Sequence, residues 1–316
     1  MKIKRNIIYN CSVCGENSFL KIYGVSVFNV CVCRTCGVVC LNPRMDEGGY
    51  VDYYRNQYYR NYQPKIEVKK PVRIEKTFRG VKIFNDLQKY VSPKSRIIEI
   101  GCGEGENLIV FKNKGFNDLT GLDPSSDCCK RLENFNIECI DKPLSEFATN
   151  LDINRKFDCV ILSHVLEHFV EPEKALQIIA NIIKPDGILY ILVPNLYGFK
   201  NPFSQFCIPH TFYFSKVSLE SLLRNSSFIV EKYFEGSNED EIALLAKKSS
   251  KPLTFIKQYP NEYKRVLSYL KRDKQVYIKM KMKRIIEEFI ITVFGENIYL
   301  YIRNFLKKII TSFNEN

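Results

Sequence analysis

The stretch IIEIGCGEGENLIVF, residues 97–111, combines residue types and spacings that suit ligand binding. Glu99 lies near the end of a short apolar run, and Gly101, Gly103 and Gly105 follow it at intervals of two residues. Glycines at this spacing allow a tight turn through which the backbone approaches a bound molecule closely. The stretch therefore predicts a nucleotide-binding turn between a strand and a helix.

The glycine pattern separates three kinds of nucleotide ligand. A Walker loop needs Gly-Lys-Ser/Thr, which is absent, and a dinucleotide turn needs a glycine where Glu106 stands. Carboxylates at Glu99 and Glu106 repel phosphate and attract a cation. S-adenosylmethionine fits, because it carries an ammonium, a sulfonium and a ribose but no phosphate. Asp123, about 20 residues after the glycines at the end of the next predicted strand, is placed to accept both ribose hydroxyls.

Cysteines near the amino terminus have the spacing of a structural zinc site. Two CxxCG knuckles, CSVCG and CRTCG, contain Cys11, Cys14, Cys33 and Cys36. Such a set supplies four thiolates, which form a closed tetrahedral zinc site without an open position for chemistry. Cys31 and Cys40 lie close enough to leave a shifted ligand set open, although the knuckle glycines favour the first set. Buried free cysteines are the alternative.

The elements that position these residues alternate along the chain from residue 95. Strand-like runs RIIEI, LTGLD, IECI, FDCVILS and GILYILVP are separated by helical segments, and the runs FIVEKYFEG and EIALLAKK then follow close together. This alternation predicts a doubly wound parallel sheet with an antiparallel edge. We therefore predict an α/β, Rossmann-like seven-stranded sheet with a small amino-terminal zinc ribbon and a carboxy-terminal helical extension.

The chain has three histidines, His164, His168 and His210. All three follow the predicted fourth and fifth strands, at the edge where open α/β sheets bind ligands. An imidazole titrates near neutral pH and suits general-base work, whereas a local hydrogen-bonding role is the alternative for each. The tyrosine-rich stretch at 49–63 predicts a helix with an aromatic face. That face suits a pocket wall, the packing of the zinc module onto the main domain, or single-stranded nucleic acid.

Composition and charge indicate how the chain is divided. Of the 316 residues 45% are hydrophobic, enough for a sizeable core, and we predict a zinc ribbon over 1–45, a ligand-binding domain over 46–250 and a basic helical extension over 251–316. The net charge of +12 is concentrated in the extension, which has 14 Lys/Arg against 6 Asp/Glu. Its apolar residues 284–310 are expected to dock on the body or on a partner subunit, and contact with an anionic membrane surface stays open.

The sequence also suggests a location. We find no secretory leader, and no run approaches the roughly 18 apolar residues of a spanning helix. We therefore expect a cytoplasmic protein, with the inner membrane face as an open alternative. In a reducing compartment, cysteines at metal-like spacing favour metal binding over disulfides, and most of the six cysteines that follow residue 100 are expected to be inert packing residues.

Together these motifs resemble class I S-adenosylmethionine-dependent methyltransferases. EIGCGEG is similar to their motif I, GLDPS to their ribose-binding acidic motif, and FDCVILSHVLEHFVEPEKALQIIANIIKPDGILYILVPN to their strand-four to strand-five stretch. The segments CSVCG, CRTCGVVCLNPRMDEGGYVDYY and PHTFYFSKVSLESLL resemble a subgroup with a zinc-binding head. Members of that subgroup often methylate sugars in nucleotide-sugar or surface-polysaccharide pathways. The likeness covers roughly residues 11–249.

The resemblance implies two groups of site residues. The cofactor group is Glu99, Gly101, Gly103, Gly105, Asp123, Pro124, Leu144, His164 and Tyr54. The catalytic group is His210, His168 and Tyr213, where Tyr213 stands in place of the subgroup's usual second histidine. His210 is predicted to act on the acceptor as a general base.

The implied function is methyl transfer to a sugar or other small hydroxylated metabolite, with a small-molecule or glycan acceptor as partner. RNA methylation is an alternative suggested by the zinc ribbon, the tyrosines and the basic charge. However, the charge lies in the tail and no Asn-Pro-Pro-Tyr-like motif follows strand four, so nucleic acid is not the expected partner. A non-catalytic scaffold is the third alternative, and the intact Glu99, glycines and Asp123 argue against it.

Overall fold

We describe the fold from a computed structural model. It describes residues 5–25, 28–54, 74–149, 155–199, 202–207, 210–234, 240–251, 253, 261–272, 274–275, 278 and 282. The chain forms two compact units, one of residues 1–199 and 206–267 and one of residues 200–205 and 268–316. The second unit contains a short 3₁₀ turn at Pro202–Ser204 and helical residues 268–272. The domain boundaries at residues 45 and 250 stay predictions.

The first unit begins with short antiparallel strands and one helix. These are β1 (Arg5–Asn6), β2 (Phe19–Val25), β3 (Phe28–Cys33), β4 (Val39–Leu41), β5 (Arg44–Met45) and α1 (Glu47–Tyr53). Strand β1 pairs with β5, and β3 pairs with both β2 and β4. Helix α1 begins after Asp46, whose carboxylate accepts a hydrogen bond from the Gly49 amide at 2.8 Å and so caps the helix.

The rest of the first unit alternates helices and strands. Its elements are α2 (Ile74–Leu87), β6 (Ile97–Ile100), α3 (Glu106–Asn113), β7 (Leu119–Leu122), α4 (Ser126–Glu133), β8 (Glu138–Ile140), α5 (Leu144–Thr149), β9 (Phe157–Ser163), α6 (Pro172–Ile182), β10 (Ile183–Pro194), β11 (Phe212–Tyr213), α7 (Lys216–Asn225), β12 (Phe228–Tyr233) and β13 (Glu241–Lys248). A 3₁₀ turn spans Leu166–His168, and residues 261–267 are helical.

Seven strands form the main sheet in the order β12–β13–β10–β9–β6–β7–β8. The strands from β10 to β8 run parallel to their neighbours, whereas β13 is antiparallel to both β10 and β12. This arrangement confirms the predicted Rossmann-like sheet with an antiparallel edge. The parallel strands end at one edge of the sheet, which is where such folds place ligands.

The central strands are mostly apolar, as expected for strands with both faces covered. In β6, Ile98 and Ile100 contribute to one hydrophobic cluster, whereas Ile97 contributes to the other. Helix α2, which the sequence does not predict, buries Ile83 and Leu87 in that second cluster. The two-sided packing fixes the positions of the strand ends and therefore of the residues that follow them.

One short strand joins the amino-terminal module to the segment that carries His210. Strand β11 pairs antiparallel with β4 and completes a four-stranded sheet in the order β11–β4–β3–β2. The Arg44 guanidinium, in a side chain that is 1% exposed, lies 4.8 Å above the Phe212 ring centre. The sequence does not predict this pairing. It places His210 two residues before the strand that pairs with the amino-terminal module.

Two predictions fall on parts of the chain outside the described residues. The aromatic face predicted for Tyr58, Tyr59 and Tyr62 lies outside them, and so does the apolar segment 284–310. Among the residues that the structure describes, no helix has the length and apolar character needed to cross a bilayer.

Candidate active site

A cavity of about 300 Å³ opens where β6, β7 and β9 end. The predicted site residues that line it are Tyr54, Glu99, Gly101, Gly103, Asp123, Pro124, Leu144, His164 and His168. Three predicted site residues, Gly105, His210 and Tyr213, are not among its lining residues. The structure thus brings most of the predicted cofactor residues to one place.

The loop between β6 and α3 requires glycine for two reasons. Gly101 and Gly105 have φ values of 67° and 77°, in the left-handed region. A Cβ atom would also lie 2.4 Å from a Val165 methyl at Gly101 and 2.1 Å from a Leu132 methyl at Gly105. These distances are shorter than any real contact, so the loop packs tightly only with glycine. It therefore presents bare backbone to the cavity.

Asp123 is held in place by backbone amides. Its side chain is 5% exposed, with one oxygen accepting from the Gly103 amide at 3.0 Å and the other from the Ser125 amide at 2.9 Å. A carboxylate has about four lone-pair sites, so these two bonds leave acceptor capacity. Asp123 is thus rigidly placed at the end of β7 and can accept from ligand hydroxyls.

Glu99 is a buried carboxylate with one free oxygen. Its side chain is 1% exposed, and Oε1 accepts a hydrogen bond from the Asn107 amide at 2.5 Å. Oε2 has no hydrogen-bond partner among the described residues. Burial raises the pKa of Glu99 to about 8, against the effect of Asn107, and the charges of Glu106 and Asp123 raise it further. The carboxyl is therefore mostly protonated at neutral pH until a cation binds beside it.

Tyr54 and His168 line the β9 side of the cavity. The Tyr54 hydroxyl lies 2.7 Å from His168 Nδ1. Behind it, the His168 and His210 rings meet edge to face with centres 4.8 Å apart. Burial, followed by the charge of His168, lowers the pKa of His210 to about 4. An imidazole with that pKa is neutral at pH 7 and keeps a free lone pair.

Tyr213 lies further from the cavity. Its ring centre is 5.8 Å from that of His210, and its hydroxyl donates to the Cys207 carbonyl at 3.1 Å. The same hydroxyl accepts from the Cys207 amide at 2.9 Å. Burial also raises the pKa of Tyr213 well above its usual value. These contacts suit a role in holding the loop before β11; the catalytic assignment of Tyr213 stays a prediction.

His164 lies between two carboxylates. Its Nε2 atom is 2.8 Å from Glu241 Oε1, and its Nδ1 atom is 3.6 Å from Glu167 Oε1. Burial disfavours the charged ring, but contacts with Glu167 and Glu241 outweigh it and raise the pKa of His164. Burial alone would also raise the pKa of Glu167, but the charge of His168 and the contact with His164 lower it to about 2. Glu167 is therefore ionised in the fold.

The sequence does not predict three further residues of the site, namely Asn107, Glu241 and Arg79. Asn107 is a polar residue directly before the apolar run Leu108–Phe111 of α3, and this was the available signal. Glu241 begins the apolar strand β13, next to β10. Arg79 lines the cavity from α2 and lies 3.9 Å from Glu241. No signal could identify Arg79, because α2 itself was not predicted.

The predicted zinc ligands lie together in the amino-terminal module. The sulfur atoms of Cys11, Cys14, Cys33 and Cys36 lie within 4.8 Å of one another, and all four residues are buried. Cys31 and Cys40 are not part of this group among the described residues. Burial raises the pKa of Cys31 to about 11 and that of Cys40 to about 12, so both are thiols at neutral pH.

Known proteins resemble this chain both in sequence and in structure. The family model described as "Methyltransferase domain" matches residues 9–233. The chain is 30% identical over 115 residues to the ubiquinone/menaquinone biosynthesis C-methyltransferase UbiE of Campylobacter jejuni, a match covering 34% of this chain and 47% of that protein. It is 22% identical over 170 residues to the mitochondrial ubiquinone biosynthesis O-methyltransferase of Dictyostelium discoideum, covering 46% of this chain and 52% of that protein.

These matches are partial. The chain spans about half the length of the curated relatives it matches. Magnesium protoporphyrin IX methyltransferase (ChlM) from Synechocystis, solved with bound SAH, aligns with a TM-score of 0.50 and 15% identity. That alignment covers 65% of this chain and 100% of the other, and at this identity it supports the fold alone.

Proposed function

The chain belongs to the methyltransferase-domain family and is a class I S-adenosylmethionine-dependent methyltransferase, and from this premise we propose that it methylates a sugar or other small hydroxylated metabolite. The observation that carries the proposal is the division of the cavity. Sheet order places β7 on one side of β6 and β9 on the other. Carboxylates and bare backbone therefore lie towards β7, whereas the phenol and imidazole of Tyr54 and His168 lie towards β9.

The β6–β7 side fits the cofactor. The free oxygen of Glu99 suits the cofactor's ammonium, Asp123 suits its ribose hydroxyls, and Leu144 and Pro124 offer apolar contact for adenine. The glycine loop leaves room for the ligand because its glycines carry no side chain. S-adenosylmethionine supplies a methyl group already activated by its sulfonium. The protein's task is then to align an acceptor and to let its proton leave.

The β9 side suits a hydroxylated acceptor. Tyr54 and His168 offer hydrogen-bonding groups beside a small cavity, and these recognise a hydroxyl better than an apolar group. The subgroup resemblance of the cysteine-rich head and of the segment 209–223 supports a sugar, in nucleotide-sugar or surface-polysaccharide biosynthesis. The relatives named above methylate other molecules, but they match only part of their own length. The acceptor roles of His168, His210 and Tyr213 are part of this proposal.

The amino-terminal cysteines fit a structural zinc ion. The distance from Cys11 Sγ to Cys36 Sγ is 3.7 Å, and that from Cys14 Sγ to Cys33 Sγ is 3.6 Å. Sulfur atoms at the corners of a zinc tetrahedron are about 3.8 Å apart, given Zn–S bonds of about 2.3 Å. Four thiolates leave no open position, so this ion would support the fold without taking part in methyl transfer.

Two measurements test the proposal. Calorimetry should detect S-adenosylmethionine binding, and Asp123→Ala should weaken it roughly 10- to 150-fold, because hydrogen bonds to a charged group contribute about 1.5–3 kcal/mol. Asp127→Ala, which removes an exposed carboxylate from nearby α4, should leave the affinity unchanged. Mass spectrometry of metabolites incubated with enzyme and cofactor should reveal a hydroxylated product heavier by one methylene. Absence of cofactor binding, or a methylated RNA as the product, would overturn the proposal.

A further inference from the structure

We propose that Glu167, His168 and His210 form a second metal site, which binds a divalent first-row transition cation beside the acceptor side of the cavity. This site is separate from the four cysteines, because its donors are one carboxylate and two imidazoles. Such a donor set is typical of zinc, iron, cobalt or manganese. The site itself follows from geometry, whereas its role in catalysis rests on the proposed function.

The first observation is a buried carboxylate without hydrogen-bond donors. Glu167 is 1% exposed, and neither of its oxygens has a hydrogen-bond partner among the described residues. Its nearest nitrogens, His164 Nδ1 at 3.6 Å and His168 Nε2 at 3.7 Å, lie just beyond hydrogen-bond distance. Buried carboxylates are normally hydrogen-bonded or coordinate a metal, because a buried polar group without such a partner is costly.

The second observation is how the two histidines are oriented. His168 turns Nε2 towards Glu167, while its Nδ1 lies 2.7 Å from the Tyr54 hydroxyl. Metal-bound histidines commonly use their other ring nitrogen in this way, which fixes the ring. His210 Nδ1 is buried and has no hydrogen-bond partner among the described residues. A cation would satisfy this nitrogen and the Glu167 carboxylate together.

The spacing agrees with a three-ligand site. One ligand atom from each of the three residues lies within 4.8 Å of the others. With metal–ligand bonds of about 2.0–2.2 Å, neighbouring ligand atoms are about 3–3.6 Å apart. The distance of 3.7 Å between His168 Nε2 and Glu167 Oε1 is already close to that value. Side-chain rotations that move the most distant pair of ligand atoms about 1 Å closer would complete the site. His164 is not part of this group of ligand atoms among the described residues.

Three protein ligands would leave coordination positions open, and His168, which lines the cavity, would hold the cation next to the acceptor. A metal ion lowers the pKa of a coordinated hydroxyl and so favours loss of its proton before methylation. Coordination uses the ring lone pairs of His168 and His210. In this arrangement the two histidines hold the cation and do not act as the general bases predicted from sequence.

Cobalt(II) titration of protein whose cysteine site is filled with zinc tests the site without any acceptor. The wild type should bind one cobalt in addition to the zinc, with weak nitrogen/oxygen-type d–d bands and no thiolate-to-cobalt band. Glu167→Gln and His210→Ala should each weaken cobalt binding at least tenfold. Glu99→Gln removes an equally buried carboxylate that lines the same cavity, and it should leave cobalt affinity within twofold of the wild type.

Thermal denaturation followed by circular dichroism establishes that each variant is folded, and calorimetry with S-adenosylmethionine on the wild type, Glu167→Gln and His210→Ala tests cofactor binding. A wild type that binds no second cation would overturn the site, and so would a Glu167→Gln variant that binds cobalt like the wild type. Failure of cofactor binding in every sample would instead overturn the proposed function. The two results are therefore distinguishable.

Discussion

Binding of S-adenosylmethionine should release a proton from Glu99. The carboxyl is 1% exposed, and its pKa is raised from 4.5 to about 8, chiefly by burial. With that pKa about 0.9 of the chains carry the proton at pH 7. An ammonium placed beside the carboxyl favours its ionised form. Binding at pH 7 should therefore expel about 0.9 proton per site, and Glu99→Gln should remove this contribution.

Calorimetry in two buffers of different ionisation enthalpy measures the protons released. The wild type should release about 0.9 proton more than Glu99→Gln at pH 7. The same linkage predicts that the ratio of the wild-type to the variant affinity for S-adenosylmethionine rises about 50-fold from pH 6 to pH 8. The ratio rises because the free-energy cost of ionising the Glu99 carboxyl falls as the pH rises. Titration of the ligand's own amine cancels in that ratio. Equal proton counts, or a ratio that falls with pH, would refute the assignment of Glu99.

Two other substitutions have matched controls. Gly105→Ala should lower the free energy of unfolding by about 2–5 kcal/mol, because the new methyl group clashes with Leu132 and the residue has a left-handed φ. Gly115→Ala is the control: Gly115 has a φ of 90° but open space around it, so the loss should be only about 1–2 kcal/mol. Urea denaturation measures both changes. Cys11→Ser should reduce the zinc content from one ion per chain towards none and lower the melting temperature, whereas Cys40→Ser should retain the zinc. Metal analysis measures the zinc content of both variants. Equal zinc in the two variants would contradict the ligand set.

The main sheet could be predicted from sequence because each of its strands is a short apolar run set off by helical or turn segments. The cofactor side was equally predictable, since its residues lie at the ends of strands β6, β7 and β8 or a few residues beyond them. Parallel strands bring such positions to one edge whatever the detail of the packing. Local sequence pattern and global topology therefore point to the same residues.

The acceptor side was harder to predict from sequence because it depends on contacts between segments that are distant along the chain. Tyr54 meets His168 across 114 positions, and His164 meets Glu241 across 77. No periodicity encodes such pairs. Strand β11 is only two residues long, so its pairing with β4 leaves hardly any signal in the sequence. The family resemblance identified His210 and His168 as site residues, but it could not place Glu167 between the histidines.

Thr211 links the cysteine-rich module to the acceptor side. It is fully buried, and its carbonyl accepts from the Leu41 amide of β4 at 2.9 Å. Its own amide donates to the Glu167 carbonyl at 2.8 Å, and its hydroxyl donates to the His168 carbonyl at 3.2 Å. Strand β4 begins three residues after Cys36, the last of the clustered cysteines. A metal ion that stabilises the module would thus fix the position of β4. Strand β4 would in turn fix the positions of Thr211, Glu167 and His168. A closed zinc site remote from the chemistry can therefore set the geometry of the residues that meet the acceptor.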